Sequence, residues 1–303
     1  MSMTMTANDT LQPSASIADI GDRAMLVNVK IRQFNAVKTD KKITADVAAL
    51  HGSEVEMGRY AKSVIEKSAT LTLKRLAGEI RLEHYRRTLP WSEDGSRILT
   101  SRGYDDYAKF MRDSQEKWDV AVANFLDGWD GFVADARVKL NGLFNENDYP
   151  SAAKLRKKFE FRWKVDPVPL ADDFRVALGA AEVGAIKAQM QGDLDETVNA
   201  AMQSVWVQMR DVVQKMAERL RAYDPQNPGA APFRDSLVTN IRELVEILPS
   251  LNLTSDPNVA KFTNSMRDLV KADATMLRDN MWTREDTAKR AEAILDQMSQ
   301  FIA

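Results

Sequence analysis

The stretch FEFRWKV, residues 159–165, is the clearest indication of fold class in this chain. Apolar and charged residues alternate along it: Phe159, Phe161, Trp163 and Val165 against Glu160, Arg162 and Lys164. A period of two residues is typical of a strand with one buried and one solvent-facing side. We therefore predict a strand at about 158–166 whose aromatic side chains enter the core and whose charged side chains face water.

A second stretch, LVNVKIRQF at residues 26–34, has the same alternation. Val27, Val29 and Ile31 point one way, and the polar residues between them point the other. Two strands that are each apolar on one face pair most economically in a single sheet. The sequence thus predicts a small antiparallel sheet formed by residues 25–34 and 158–166.

The rest of the chain has helical periodicity. The apolar stripe from Val183 to Tyr223 predicts one long helix, which Gly192 is expected to interrupt. Asp256–Pro257 predicts a helix start, and Thr283 with Asp286 resembles a capping box. Further helices are expected at 40–52 (ended by Gly52), 63–89, 104–140, 233–248, 257–278 and 284–301.

These elements predict a mostly helical α+β protein, with a small antiparallel sheet packed by helices and followed by a long-helix bundle. The expected organisation is a disordered arm at 1–20, an α+β domain at 21–178 and a helical bundle region at 179–303. The arm is predicted because its residues are small and polar.

Composition excludes several classes of protein. The 303 residues include no cysteine, which rules out disulfides and thiolate metal sites. The formal net charge of −2 excludes a global attraction to nucleic acid or anionic membranes, so such binding requires a local patch. Neither a secretion signal nor an apolar run of about 18 residues is present. We expect a cytoplasmic protein without a membrane span.

No motif predicts catalysis. The two histidines, His51 and His84, fall in different predicted helices, so a metal site is not expected. GAAEVGAIK, residues 179–187, lacks the lysine directly after its second glycine that a phosphate loop requires. We therefore predict no catalytic residue, no cofactor and no metal, and a non-enzymatic protein.

The stretch HYRRTLPWSEDGSRILTSRGYDDY, residues 84–107, combines turn residues with aromatic and charged ones. We interpret it as an ordered connector between two helices, in which Pro90 and Gly95 turn the chain. Trp91 is expected to dock on the flanking helices, and Arg97 to reach the aspartates of the next helix. Trp91, Arg97 and Tyr104 are the candidate partner-binding residues.

The segment KLRKKFEFRWK, residues 154–164, interleaves basic and aromatic residues, a composition that suits single-stranded nucleic acid. The strand pattern favours buried aromatics and a solvated basic face, so we expect weak nucleic-acid binding at physiological salt. Phosphate contacts made by the basic side chains of the preceding helix remain the alternative. The candidate nucleic-acid-binding residues are Lys154, Arg156, Lys157 and Lys158.

Three stretches resemble, in order and spacing, a family of bacterial and phage proteins known as DUF3150: TLPWSEDGSRILTSRGYDDY (88–107), GLFNENDYPS (142–151) and FEFRWKVDPVPLADDFRV (159–176). The resemblance covers roughly residues 24–178. Family members are typically encoded on mobile elements near a MoxR-like AAA+ ATPase, a von Willebrand A-domain protein and recombination genes. The family has no assigned function and supplies no catalytic residues.

The resemblance implies a non-enzymatic interaction or adaptor protein of a phage or mobile element that acts with the AAA+ ATPase and the A-domain protein. The alternative is a nucleic-acid-binding accessory protein in phage recombination or replication. The long apolar stripe is expected to pack within the protein or in a homo-oligomer.

Overall fold

The computed structural model describes residues 20–302. It shows a predominantly helical α+β protein with a four-stranded antiparallel sheet, a separate two-stranded sheet and a long-helix region, which confirms the predicted fold class. Among the described residues, no helix has both the length and the apolar character needed to cross a membrane. The expected arm at 1–20 lies outside the described residues apart from Ile20.

The strands are β1 (Ala24–Arg32), β2 (Val37–Thr39), β3 (Ala61–Ser63), β4 (Leu89–Pro90), β5 (Arg97–Thr100) and β6 (Glu160–Pro167). The helices are α1 (Ile20–Arg23), α2 (Lys41–His51), α3 (Leu71–Arg87), α4 (Tyr104–Asp127), α5 (Trp129–Leu140), α6 (Ala152–Arg156), α7 (Ala180–Ala222), α8 (Asp235–Leu251), α9 (Pro257–Leu269), α10 (Ala274–Asp279) and α11 (Met281–Met298).

The four-stranded sheet has the order β4-β5-β1-β6, so the two predicted strands are neighbours, as expected. The other two strands come from the stretch at 84–107. It was expected to be an ordered connector between two helices, and it does connect α3 to α4; the β-hairpin that it forms was not predicted. Ile98 of β5 is paired with Leu89 of β4 on one side and Leu26 of β1 on the other. Strands of two and four residues are too short to show a sequence period.

The hairpin turn depends on Asp94 and Gly95. The Asp94 carboxylate accepts hydrogen bonds from the Ser92 hydroxyl at 2.5 Å and from the Ser96 backbone N–H at 2.8 Å. Gly95 has a φ of 89°, in the left-handed region that favours glycine. The local sequence therefore determines the turn even though the strands beside it could not be recognised.

The long helix α7 confirms the predicted stripe, and it runs through Gly192 without the expected interruption. Most of its apolar residues from Leu194 to Leu220 are buried, and the helix packs on α8 and α11 within the chain. Val183, Ile186 and Met190 in its first turns are only partly buried. A single glycine costs about 1 kcal/mol in a helix, which this extensive packing outweighs.

Two predicted helices are each divided in two. The expected helix 104–140 breaks at Gly128, between α4 and α5. The expected helix 257–278 breaks before Asp273, whose carboxylate accepts a hydrogen bond from the backbone N–H of Met276 and so caps the start of α10. Asp256 caps α9 with Pro257 in its first turn, as predicted. The capping box at Thr283 and Asp286 was wrong, because Asn280 caps α11.

The N-terminal half of the chain departs from prediction in one further place. Helix α3 begins at Leu71 instead of Ser63, because residues 61–63 form β3 opposite β2. Tyr85, near the end of this helix, is 56% exposed. The short helix α2 agrees with prediction: Asp40 caps its start, and Gly52 ends it with a φ of 63°.

The described chain forms two compact units, and it passes from one unit to the other within β1, α3, α4 and β6. Unit 1 comprises residues 20–27, 86–105 and 165–302, and unit 2 comprises residues 28–85 and 106–164. This division differs from the expected boundary at 178/179, because the hairpin at 86–105 packs with the long helices. Unit 1 has a mainly aliphatic core, whereas unit 2 has an aromatic one that includes Trp118, Phe125 and Trp129.

Candidate functional site

The hairpin candidates Trp91, Arg97 and Tyr104 all belong to unit 1 and are all partly buried. Trp91 packs against the aliphatic core of this unit. The Thr100 hydroxyl at the end of β5 donates a hydrogen bond to the Ser250 carbonyl of α8 at 2.5 Å. The hairpin is thus held by the helices of unit 1.

Arg97 joins the two strands of the hairpin. Its Nε donates to the Thr88 hydroxyl at 2.7 Å, and its Nη2 donates to the Thr88 carbonyl at 2.8 Å. Thr88 is almost fully buried, so these bonds satisfy polar atoms that water does not reach. The Arg97 guanidinium therefore stabilises the hairpin by linking β5 to the residue before β4.

We expect Arg97→Ala to lower the free energy of unfolding by about 2 kcal/mol, because hydrogen bonds to a charged donor contribute about 1.5–3 kcal/mol. Urea denaturation measures the change. Arg97→Lys keeps the charge but not the paired geometry, so it should restore less than half of the loss. An unchanged unfolding midpoint in Arg97→Ala would contradict this stabilising role and favour a partner-binding one.

The basic candidates lie on and just after α6, in unit 2. All four side chains are exposed, and only Leu155 of this short helix is buried. Across residues 20–302, none of the four takes part in a salt bridge. The helix and the two residues after it therefore present four cations to solvent: Lys154, Arg156, Lys157 and Lys158.

Three further cations lie on the solvent face of β1 and β6 and surround Glu160. Its Oε2 lies 3.5 Å from Lys30 Nζ and 2.5 Å from Arg32 Nη2, and its Oε1 lies 3.9 Å from Arg162 Nε. Burial raises the pKa of Glu160, but Arg32 and Lys30 outweigh this effect and leave the pKa below its usual value. The carboxylate is therefore ionised at neutral pH. These three cations were not identified from the sequence.

The aromatic residues of β6 lie on the opposite side and pack on α4. The ring centroid of Phe159 is 5.4 Å from that of Phe125, and Phe161 is 6.3 Å from Trp118. Trp163 lies edge-on to Tyr107 at 6.0 Å. Val165, expected on the same buried face, is 40% exposed. The aromatic side chains therefore face the core and the charged side chains face solvent, as the alternation in the sequence predicts.

A buried ammonium group, Lys62, lies at the centre of a charged cluster in unit 2. Its Nζ donates to Asp40 Oδ2 at 3.0 Å and to the Leu143 carbonyl at 2.7 Å, and it lies 3.1 Å from Asp148 Oδ2. Burial lowers the pKa of Lys62, but the two carboxylates raise it more, so the group stays charged. The cluster joins β3, the start of α2 and the segment after α5. Its lysine cannot be distinguished in the sequence from an exposed one.

The histidines do not come together. His51 is exposed at the end of α2, whereas His84 is buried in α3, where its Nδ1 shares a hydrogen bond of 2.8 Å with the Tyr107 hydroxyl. Within residues 20–302, no group of three or more histidine or acidic side chains is placed to hold a metal ion.

Large apolar side chains are exposed where α10 meets α11 in unit 1. Met276, Met281 and Trp282 are 51%, 63% and 77% exposed, and we call them the Trp282 surface. Met281 also lines a cleft of about 480 Å³, whose walls include Tyr223 and Arg284. These residues could not be predicted as a surface, because their helical position alone does not show whether a neighbouring helix covers them.

Two arginines in the walls of the cleft beside the Trp282 surface are held by hydrogen bonds. Arg284 is buried, and its Nη1 donates to the carbonyls of Leu277 at 3.1 Å and Arg278 at 2.9 Å. At the rim, Arg221 forms a bidentate ion pair with Glu292 at 2.7 and 2.6 Å. Apolar residues are thus bordered by fixed charges, an arrangement that is typical of protein interfaces.

No family model matches the chain, and no curated protein or solved structure is significantly similar to it. The resemblance to DUF3150 stays a prediction from the sequence motifs.

Proposed function

We propose that this chain is a non-enzymatic interaction protein of a phage or mobile element, an adaptor for a MoxR-like AAA+ ATPase and its von Willebrand A-domain partner. The identity of these partners rests on the sequence resemblance to DUF3150. The Trp282 surface is the observation that supports an interaction function: its tryptophan is 77% exposed, and its two methionines are also exposed.

An exposed tryptophan of this kind has an energetic consequence. Burying a large aromatic side chain removes about 150–250 Å² of surface from water. Tryptophan and methionine are enriched at the centres of protein interfaces, and the residues whose truncation weakens binding most are often tryptophan. A partner that covers Trp282 therefore gains affinity from a side chain that contributes little to the folded state of the free protein.

The test is co-purification of the tagged chain from its native host, followed by mass spectrometry. The parent is expected to retain the ATPase and the A-domain protein. Trp282→Ala should weaken this association by roughly 30-fold or more, because truncating a central interface residue costs about 2 kcal/mol or more. Its melting temperature should stay close to that of the parent, since the side chain is exposed.

Leu50→Ala is the matched control, because Leu50 is 80% exposed on α2, in unit 2. It should retain both partners. Failure of the parent to retain an ATPase would refute the proposed partner. Equal retention by the parent and Trp282→Ala would refute the assignment of the interface to this surface.

A further inference from the structure

We propose that α6 and the solvent face of β1 and β6 together form a binding surface for the phosphate backbone of double-stranded nucleic acid. This inference is independent of the adaptor function, because it concerns unit 2 and different residues. It develops the alternative that the sequence left open. We call this surface the basic face: Lys30, Arg32, Lys154, Arg156, Lys157, Lys158 and Arg162.

Its charge distinguishes the basic face from the rest of the molecule. Seven cations and the single carboxylate of Glu160 give these residues a formal charge of +6, whereas the whole chain carries −2. The remainder of the protein is therefore acidic. A local patch of this size attracts a polyanion even when the net charge does not. Only the four cations near α6 were candidates from the sequence; Lys30, Arg32 and Arg162 fall on the polar faces of the two predicted strands, and the structure shows that they meet at Glu160.

The two groups of cations lie close to each other. Only a few residues separate Arg156, at the end of α6, from Arg162 in β6, so chain length limits their separation to about 20 Å. Lys30, Arg32 and Arg162 all lie within 4 Å of the Glu160 carboxylate, so the three cations are neighbours. The Glu160 carboxylate holds the strand cations in place, while the α6 cations form no salt bridge within the described chain.

The position of the aromatic residues indicates which polyanion fits. Proteins that bind single strands stack bases on exposed aromatic side chains. Phe159, Phe161 and Trp163 instead pack on α4. Phe161 is buried and Phe159 and Trp163 are partly buried against this helix, so none of the three projects from the strand to stack on a base or to insert into a lipid surface. Contacts are thus limited to phosphates, and a duplex presents the higher density of them.

The experiment measures binding of the purified full chain to a labelled random-sequence DNA duplex between about 50 and 200 mM salt, the range over which phosphate contacts weaken strongly. The first variant changes Lys154, Arg156, Lys157 and Lys158 to alanine. Each lost phosphate contact should reduce the dependence of log affinity on log salt by about 0.9, so the slope should fall by about 3–4.

Two more variants complete the design. Lys30→Gln with Arg162→Gln leaves the Arg32–Glu160 pair intact and should reduce the slope by about 1–2. The control changes four exposed cations elsewhere, Lys74, Lys215, Arg219 and Lys289, to alanine. It alters the net charge as much as the first variant does, but its slope should stay within about one unit of the parent's.

Absence of duplex binding by the parent at low salt would overturn the proposal, as would equal slopes for the α6 variant and the control. Single strands that bind at least tenfold more tightly than the duplex would overturn the duplex assignment. Vesicles with a third of anionic lipid that compete more strongly than DNA would assign the basic face to a membrane instead. None of these results affects the partner test at Trp282, so the two proposals fail separately.

Discussion

Replacing Trp118 with alanine is expected to lower the free energy of unfolding by about 3–5 kcal/mol, the range for truncating a large core aromatic. Trp118 is 2% exposed in α4, and its ring lies 6.3 Å from that of Phe161 in β6. The substitution leaves a cavity between the helix and the strand that surrounding side chains fill only in part. Urea denaturation followed by far-UV circular dichroism measures the loss.

Two controls separate cavity formation from the mere loss of a tryptophan. Trp118→Phe keeps most of the ring contact and should cost about 1–2 kcal/mol. Trp163→Ala, which removes a partly buried ring, should cost less than Trp118→Ala. A loss below about 1 kcal/mol for Trp118→Ala, outside the range for a buried aromatic, would show that α4 and β6 do not pack as described.

The second large effect is expected at Lys62. Replacing it with methionine keeps the apolar stem but leaves the carboxylates of Asp40 and Asp148 without their cation. Breaking a buried ion pair from one side costs about 3–5 kcal/mol. Because both aspartates retain some exposure, we expect a loss near the lower end, about 3 kcal/mol. Asp148→Asn in the Lys62→Met background should recover part of it, which a double-mutant cycle measures.

This cluster also makes stability depend on pH in a defined direction. The pKa of Lys62 is raised in the folded protein. Its contribution to the free energy of unfolding is therefore complete below the usual lysine pKa of about 10.4, and it is lost as pH rises through the raised pKa of the folded state. The hydrogen bond from Lys62 lowers the pKa of Asp40. The contribution of Asp40 to the free energy of unfolding is therefore present above about pH 3.9, and it is lost as pH falls through the lowered pKa of the folded state. Lys62→Met should flatten the alkaline dependence. An unchanged alkaline limb would mean that Lys62 is not the titrating group.

Local patterns predicted the elements whose burial repeats regularly along the chain. The alternation at 159–165 indicated β6 and the side of it that is buried, and the stripe in α7 indicated a helix packed on one face. Gly52 and Asp256 were recognised as helix ends because caps depend on the conformation of neighbouring residues. Gly192 was misjudged because packing against α8 and α11 outweighs its intrinsic preference.

The candidate sites depended more on long-range contacts. Lys154, Arg156, Lys157 and Lys158 were recognised as an exposed basic group, but the cations of β1 that extend it were not. The partner-binding candidates in the hairpin proved to be partly buried, and Arg97 bonds to Thr88 within it. The exposure of Trp282 could not be predicted, because tryptophan is highly buried on average and only the surrounding structure shows that this one is exposed.

The sequence by itself determined the α+β class, the two longer strands, the aromatic buried side of β6, and the long amphipathic helix; in β1 the predicted Val27 is buried, but so are Ala24 and Leu26. These features arise from interactions between residues a few positions apart, which a linear pattern records. Only the tertiary structure decided that β4 and β5 join the sheet, that Lys62 is enclosed between Asp40 and Asp148, and that Lys30, Arg32 and Arg162 all contact Glu160. Such groups come from distant parts of the chain, and their proximity is set by strand pairing and packing, which no local period encodes.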